Sequence, residues 1–265
     1  MSTITTAILF TLFLWWFSTG LILYLDGLPR RTFARSLYAA SVMAVCALCA
    51  IIVASRDTSA LSTFIGFSAA VVIWGWQEMN FLMGGVAGPR REACPPGASE
   101  LKKFQFATEA ILYHELSLAA CMLLIYVATW QQVNQIASQT FLLLWIMRLS
   151  AKLNLFLGVR NQYSNFLPPQ LRYLASYFGK RPLNLLFPIS VTASSAVAFL
   201  LWQGAISAQA TPHEVAGFSL LGTLLVLAVL EHWFLVLPLP VESIWRWALG
   251  SRATAASPPA DPAEA

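Results

Sequence analysis

Seven stretches of mainly apolar residues divide this chain, and each is long enough, or nearly so, to cross a lipid bilayer as a helix. A helix needs about 20 apolar residues to span a hydrocarbon core of about 30 Å. The stretches comprise residues 6–25, 36–54, 60–84, 107–130, 140–157, 187–203 and 216–238. Inside a bilayer the backbone polar groups must be hydrogen-bonded within the protein, which favours helices. The sequence therefore predicts an all-α, polytopic membrane bundle of about seven transmembrane helices.

The composition excludes the main soluble classes. Of the 265 residues, 58% are hydrophobic and 11% are charged, and the mean hydropathy is +0.66. Soluble domains usually carry about 25% charged residues, so a soluble enzyme or a disulfide scaffold does not fit. We expect one membrane domain over residues 1–252. The Ala- and Pro-rich residues 253–265 are typical of a disordered tail.

The basic residues predict the orientation of the bundle. Thirteen of the sixteen Lys and Arg residues fall in alternate loops and in the tail. Because cytoplasmic loops are enriched in Lys and Arg, this pattern predicts an outside N-terminus and a cytoplasmic C-terminus. The thirteen are Arg30, Arg31, Arg35, Arg90, Arg91, Lys102, Lys103, Arg160, Arg172, Lys180, Arg181, Arg246 and Arg252.

The net charge of +4 does not indicate nucleic acid as a partner. Nucleic-acid binding requires basic residues concentrated on one surface. The largest basic clusters here are pairs of adjacent residues, such as Arg30 and Arg31. We expect the lipid bilayer, and no nucleic acid, to be the partner of these residues.

Two segments on the basic side are more than short connectors. Residues 84–100 contain four glycines and three prolines, a composition that predicts an irregular loop with unusual backbone angles. Residues 161–188 alternate apolar and basic side chains. A helix over residues 169–178 would either lie on the membrane surface with its aromatic residues inserted or pack as a loop on the bundle, and the sequence leaves both open.

Eight ionisable residues lie within the predicted spans, where each costs a few kcal/mol to insert. Counted from the helix ends, they fall in the cytoplasmic half of four spans, so one shared polar cluster is the simplest explanation. The candidates are Glu78, Glu109, His114, Glu115, Arg148, Lys152, Glu231 and His232.

Such a cluster has a structural and a metal-binding interpretation. In the first, the acids neutralise Arg148 and Lys152, which lie on one face of the fifth span. In the second, carboxylates and histidines bind metal as in di-iron helix bundles. Those bundles use a Glu-x-x-His pair, whereas Glu109 and His114 are five residues apart. The metal, if any, is unknown from the sequence.

A third interpretation is a pocket for a tetrapyrrole, such as bacteriochlorophyll, or for a quinone. A neutral imidazole can bind the central metal of a pigment, and aromatic rings can pack on its face. The candidate contacts are His114, His232, Trp74, Trp76 and Trp233. The chain shows no arrangement of nucleophile and base, so no catalytic residue is predicted.

Several strings resemble the photosynthetic complex assembly protein 2 family, of the PuhE type. They are WWFSTG at 15–20, DGLPR at 26–30, GWQEMNF at 75–81, GPR at 88–90, RLSAKLN at 148–154, GVRN at 158–161 and LEHW at 230–233. The similarity extends over about residues 10–250. Five of the eight candidate cluster residues fall within these strings.

This resemblance implies a setting and a function. Members of that family occur in phototrophic proteobacteria, are encoded near the reaction-centre H subunit, and are linked to building the photosynthetic apparatus. It implies a multi-pass protein of the bacterial inner or photosynthetic membrane that assists assembly of the reaction centre or light-harvesting complex. Its partners would be subunits of those complexes, or a bacteriochlorophyll-type pigment. The alternative is a metal-dependent membrane enzyme acting on a pigment or quinone precursor. A transporter is a weaker alternative, because the sequence contains no visible inverted repeat.

Overall fold

Seven α-helices make up the bundle in the computed structural model, which describes residues 2–162 and 166–250. All seven are long and apolar enough to cross a membrane, and the described residues contain no strand. They are α1 (Thr3–Asp26), α2 (Phe33–Ala54), α3 (Ala60–Leu82), α4 (Glu100–Ala128), α5 (Ile136–Leu157), α6 (Leu186–Ala205) and α7 (Pro212–Phe234). The predicted all-α membrane bundle is confirmed. Residues 253–265 lie outside the described part of the chain.

The helix ends differ from the predicted spans where polar side chains cap them. Helix α4 begins at Glu100 rather than 107, because the Ser99 hydroxyl accepts a hydrogen bond from the Lys102 N–H. Helix α7 begins at Pro212, where Thr211 and Glu214 form a capping box. Hydropathy alone did not detect these polar first turns.

Helices α3 and α7 lie at the centre of the bundle. Helix α7 packs on α1, α3, α5 and α6, and α3 packs on α1, α2, α4, α5 and α7. Close packing between apolar helices in a membrane depends on small residues. At Gly204 of α6, for example, an added Cβ would lie 2.8 Å from the Phe218 ring of α7.

Consecutive helices run in opposite directions, so the bundle has two distinct ends. We call the end where α1, α3, α5 and α7 terminate the basic end, because its connections carry most of the basic residues. At the opposite end the connections are short. There Asn134 is buried, and its side-chain amide donates to the carbonyl oxygens of Ala54 (3.1 Å) and Asp57 (3.2 Å). Its Oδ1 accepts from the Ile136 N–H at 3.1 Å.

The two long connections at the basic end are folded onto the bundle. Gly84 and Gly97 have φ angles of +79° and +78°, which confirms the predicted unusual backbone of that loop. Residues Pro169–Tyr177 form a 3₁₀ helix. Its apolar side chains, including Leu171, are buried against the ends of α3 and α4. The bundle-packed alternative is therefore correct, and the membrane-surface helix is wrong.

The loop between α3 and α4 is wedged against α4 at Ala87 and Gly88. The Ala87 carbonyl accepts a hydrogen bond from the His114 N–H at 2.9 Å. An added Cβ at Gly88 would lie 1.9 Å from the Glu109 carbonyl oxygen, so only glycine fits there. This contact fixes the part of α4 that carries three of the candidate residues, Glu109, His114 and Glu115.

Candidate functional site

A cavity of about 630 Å³ occupies the basic half of the bundle and is partly open. Its walls come from α1, α3, α4, α5 and α7, together with the 3₁₀ segment and the chain after α7. Most lining side chains are apolar. Five of the eight candidate residues lie in its wall, and these are Glu78, Glu115, Arg148, Lys152 and Glu231.

The first charged pair joins α3 and α5. Arg148 Nη2 donates to Glu78 Oε2 at 3.0 Å. The Glu78 side chain is only 8% exposed, whereas that of Arg148 is 43% exposed because it faces the cavity. Within the described chain, this is the one hydrogen bond of the Arg148 side chain. The other guanidinium N–H groups therefore remain available to a molecule in the cavity.

The second pair joins α4 and α5, one helical turn further along α5. Lys152 Nζ donates to Glu115 Oε1 at 2.6 Å. The other carboxylate oxygen of Glu115 accepts from Trp145 Nε1 at 3.0 Å. Lys152 also lies 5.3 Å from the centre of the Phe81 ring, a cation–π contact. Both partners are mostly buried, whereas in the first pair Arg148 is partly exposed.

Glu231 of α7 is the remaining acid in the cavity wall. Its Oε1 accepts a hydrogen bond from Trp15 Nε1 of α1 at 2.6 Å. No basic group of the described residues lies within ion-pair distance of it, although Arg148 attracts it from further away. The cavity therefore contains two ion pairs and one further acid bonded to an indole.

His114 lies behind the first pair and does not line the cavity. Its ring is fully buried and stacks on Phe81, with centroids 4.4 Å apart. Its Nε2 is 3.8 Å from Glu78 Oε1, which is too long for a hydrogen bond. Neither ring nitrogen has a hydrogen-bond partner within the described residues. His114 can therefore affect the cavity only through its neighbour Glu78.

His232 and Glu109 lie away from the cavity. His232 Nε2 is 2.9 Å from the Ser150 hydroxyl of α5, and its Nδ1 is 2.8 Å from the Ala228 carbonyl oxygen. The Ser150 hydroxyl also lies 2.9 Å from the Ser190 hydroxyl of α6. With both ring nitrogens occupied, His232 ties three helices together. Glu109 is half-buried and accepts from Gln105 on its own helix at 3.0 Å.

The candidate tryptophans are spread over three environments. Trp74 lines the cavity and packs edge-to-face on Phe141, with centroids 5.5 Å apart. Trp76 Nε1 donates to the Ser41 hydroxyl at 3.0 Å. Trp233 is 40% exposed on the outer surface. Of the five residues predicted to contact a pigment, Trp74 is the one that reaches this cavity.

The metal-binding interpretation has little geometric support. Among residues 2–162 and 166–250, no three His, Cys, Asp or Glu side chains come together in a group that could hold a metal ion. The acids of the cavity are instead bonded to Arg, Lys and Trp side chains. The donor set does not fit a di-metal centre.

The sequence reasoning missed several residues that complete the site. Trp15 and Trp145 donate to the two carboxylates Glu231 and Glu115, and Ser150 holds His232. Trp15 and Ser150 both lie within strings that carry the family resemblance. Those strings were the available signal, because nothing in hydropathy distinguishes these side chains from other interfacial residues.

The fold and the cavity define a seven-helix membrane protein with a charged pocket inside the bundle. The chain belongs to the family described as "Protein of unknown function (DUF3623)", whose profile matches residues 1–256. A relative from Rhodobacter capsulatus is 40% identical over 256 residues, covering 95% of this chain and 93% of the relative. It is named "Uncharacterized 30.4 kDa protein in puhA 5'region". No solved structure matches this chain.

Proposed function

We propose that this protein assists assembly of the photosynthetic reaction centre or light-harvesting complex, and that its cavity holds a bacteriochlorophyll-type pigment during that work. The link to photosynthesis rests on the family resemblance and on the puhA region named for the relative. The cavity of about 630 Å³ is the structural observation that carries the proposal. That volume lies within the range of about 300–1,000 Å³ that is typical of small-molecule pockets.

The cavity walls suit a large, mainly apolar ligand that carries a few oxygen atoms. Trp74, Leu112 and Met147 belong to its apolar walls. The ring and ester carbonyls of a tetrapyrrole pigment would accept hydrogen bonds from the free N–H groups of Arg148. His114 and His232 do not line the cavity, so neither is positioned to bind the central metal of such a pigment. The pigment would therefore be recognised by the shape of the cavity and by the Arg148 guanidinium.

The open side of the cavity gives a route of entry from the lipid. Helices α1 and α4 both line the cavity but are not among the helix pairs with extensive packing. Phe104 and Thr108 of α4 are exposed and also belong to the lining. A ligand dissolved in the bilayer would enter there without crossing water.

The proposal also includes the orientation of the bundle in the membrane and the surface that contacts partner subunits. We place the basic end in the cytoplasm, as the positive-inside rule predicts. The folded loops of that end would meet the reaction-centre or light-harvesting subunits while the cavity holds the pigment. We place the protein in the bacterial inner or photosynthetic membrane.

A deletion strain tests this function against the enzyme alternative. Deletion should lower the yield of assembled complex, measured by membrane absorbance, while pigment extracts contain the same tetrapyrroles as those of the parent. The tagged protein should also co-purify with incomplete reaction centres. If one defined pigment precursor accumulates instead, the protein is an enzyme of pigment synthesis and the assembly proposal is wrong.

A further inference from the structure

A second, smaller pocket of about 280 Å³ lies at the basic end, outside the cavity. It forms where the start of α2, the end of α3 and the 3₁₀ helix Pro169–Tyr177 meet. Phe33, Met83 and Leu171 supply its apolar side. Its charged and polar lining includes Arg30, Arg91 and Tyr173. No acidic side chain is among the described residues that line it.

Of the two adjacent residues Arg90 and Arg91, Arg90 has a structural role. Arg90 Nε donates to the Tyr177 hydroxyl at 2.9 Å, and its guanidinium lies 4.1 Å from the centre of the Phe106 ring. It also pairs with Glu92 at 3.6 Å. The hydrogen bond to Tyr177 raises the pKa of the Arg90 guanidinium. Arg90 is thus committed to holding the loop in place.

Arg91 and Arg30 have no such role. Within the described chain, neither side chain makes a hydrogen bond or an ion pair, and both residues are exposed. A folded protein that brings two guanidinium groups into one pocket without an acid leaves a positive potential there. Such a potential attracts an anion, and guanidinium groups match the oxygen atoms of phosphate.

Tyr173 lines the same pocket. Its hydroxyl oxygen is buried and has no hydrogen-bond partner among the described residues. Burial raises the pKa of the Tyr173 hydroxyl, and the nearby Arg91 only partly opposes this. The group is therefore a neutral donor at physiological pH, and buried polar groups in folded proteins usually have a partner.

We propose that this pocket binds a phosphate group through Arg30, Arg91 and Tyr173, and that the group belongs to an anionic phospholipid. The pocket lies where α3 ends and α2 begins, which is the depth of the headgroups. Basic pockets between transmembrane helices are known to hold anionic lipid headgroups. The apolar side at Phe33 and Leu171 would contact the glycerol and the first acyl carbons. This inference does not depend on the proposed function of the larger cavity.

Lipid titration of the purified full-length chain tests the proposal. Dioctanoyl phosphatidylglycerol is added to the protein in a non-ionic detergent, and bound lipid is measured by native mass spectrometry. Arg91→Gln should weaken binding about tenfold, because one charge-assisted hydrogen bond is lost. Tyr173→Phe, which removes a single oxygen atom, should weaken it about threefold. Thermal unfolding of each variant should match that of the wild type.

The matched control is Arg172→Gln. Arg172 lies on the same 3₁₀ helix and is exposed, but it does not line the pocket. This variant removes the same charge and should bind the lipid as the wild type does. If Arg172→Gln and Arg91→Gln weaken binding equally, the attraction is a general surface effect and the site does not exist.

A competition arm identifies the source of the phosphate. Glycerol 3-phosphate at millimolar concentration should fail to displace the lipid, since it lacks the acyl chains that contact Phe33 and Leu171. If glycerol 3-phosphate does displace the lipid from the wild type, and Arg91→Gln weakens binding of glycerol 3-phosphate as well, the phosphate site exists. Its ligand is then a soluble phosphate ester, and the lipid assignment is wrong.

Discussion

The two ends of the bundle differ in how their polar groups are used. At the opposite end, the Asn134 side chain has three hydrogen bonds to backbone groups of Ala54, Asp57 and Ile136. The Thr129 hydroxyl lies 2.6 Å from the Ser138 hydroxyl. At the basic end, Arg148 uses one of its donor groups, and the Tyr173 hydroxyl has no partner among the described residues.

The difference teaches that the basic end contributes to both stability and binding, whereas the opposite end contributes to stability alone. Satisfied polar groups at the opposite end hold the helix connections together. Partly satisfied groups at the basic end surround two pockets, where a ligand would complete their hydrogen bonds. Intramembrane charges are costly and usually mark a functional site. Substitutions at the basic end should therefore affect stability, ligand binding or both, whereas those at the opposite end should affect stability and leave ligand binding unchanged.

The largest effect should come from the wedge that shapes the basic end. Gly88→Ala places a Cβ 1.9 Å from the Glu109 carbonyl oxygen, and backbone atoms cannot move aside as a flexible side chain can. We expect a loss of more than about 3 kcal/mol in unfolding free energy, measured by denaturant titration in mixed micelles. The control is Gly75→Ala, where the new Cβ would lie 3.6 Å from Ile22. Equal stability of the two variants would show that the loop is not held against α4.

The ion pair between α3 and α5 should respond asymmetrically. Arg148→Gln leaves the buried Glu78 without its counter-ion and should cost about 3 kcal/mol. Glu78→Gln should cost less, because the remaining Arg148 faces the cavity and can be solvated there. The double variant should be more stable than Arg148→Gln alone. Thermal unfolding in detergent gives the order, and a larger loss in Glu78→Gln would contradict the burial difference.

At the opposite end, Asn134→Ala should lower stability and leave ligand binding unchanged. The change removes the hydrogen bonds of the buried Asn134 side chain to Ala54, Asp57 and Ile136, at a cost of about 2 kcal/mol. Phosphatidylglycerol binding and any bound pigment should be the same as in the wild type. Loss of ligand at unchanged stability in Asn134→Ala would contradict this difference between the two ends.

The smallest effect should be a pH dependence at the opposite end. Hydrogen bonds from the Ser59 and Ser62 side chains lower the pKa of the Asp57 carboxyl from its ordinary value of 3.8. A lowered pKa in the folded state adds stability above that value, and this is lost as the pH falls through the folded pKa. Asp57→Asn should therefore flatten the pH dependence of unfolding below about pH 4. An unchanged slope would show that other carboxyl groups control it.

The helix count could be predicted from the sequence because each span needs a long apolar run. The direction of successive spans also predicted that the charged residues share one half of the bundle. The sequence could not predict which of them face the cavity. Adjacent residues on a helix point about 100° apart. Thus Glu231 lines the cavity while His232 bonds to α5, and Glu115 lines it while His114 is buried behind it.

The hydrogen-bond partners of these charged groups could not be predicted from the sequence either. Trp15 is 216 residues away from Glu231, and Trp145 is 30 residues from Glu115. Ten tryptophans in an apolar chain give no indication of which one donates to which acid. The cavity depends on gaps between helices, which no periodicity in the sequence reveals.

The pigment content of the purified protein tests the central claim most directly. The comparison uses the wild type, Thr108→Trp and Leu116→Trp, isolated from phototrophic membranes in mild detergent. Thr108 is exposed and lines the cavity, whereas Leu116 is 58% exposed on the same helix and does not line it. We predict that the wild type and Leu116→Trp carry tetrapyrrole absorbance and that Thr108→Trp loses most of it. Equal absorbance in all three, or none in the wild type, would contradict a pigment in the cavity.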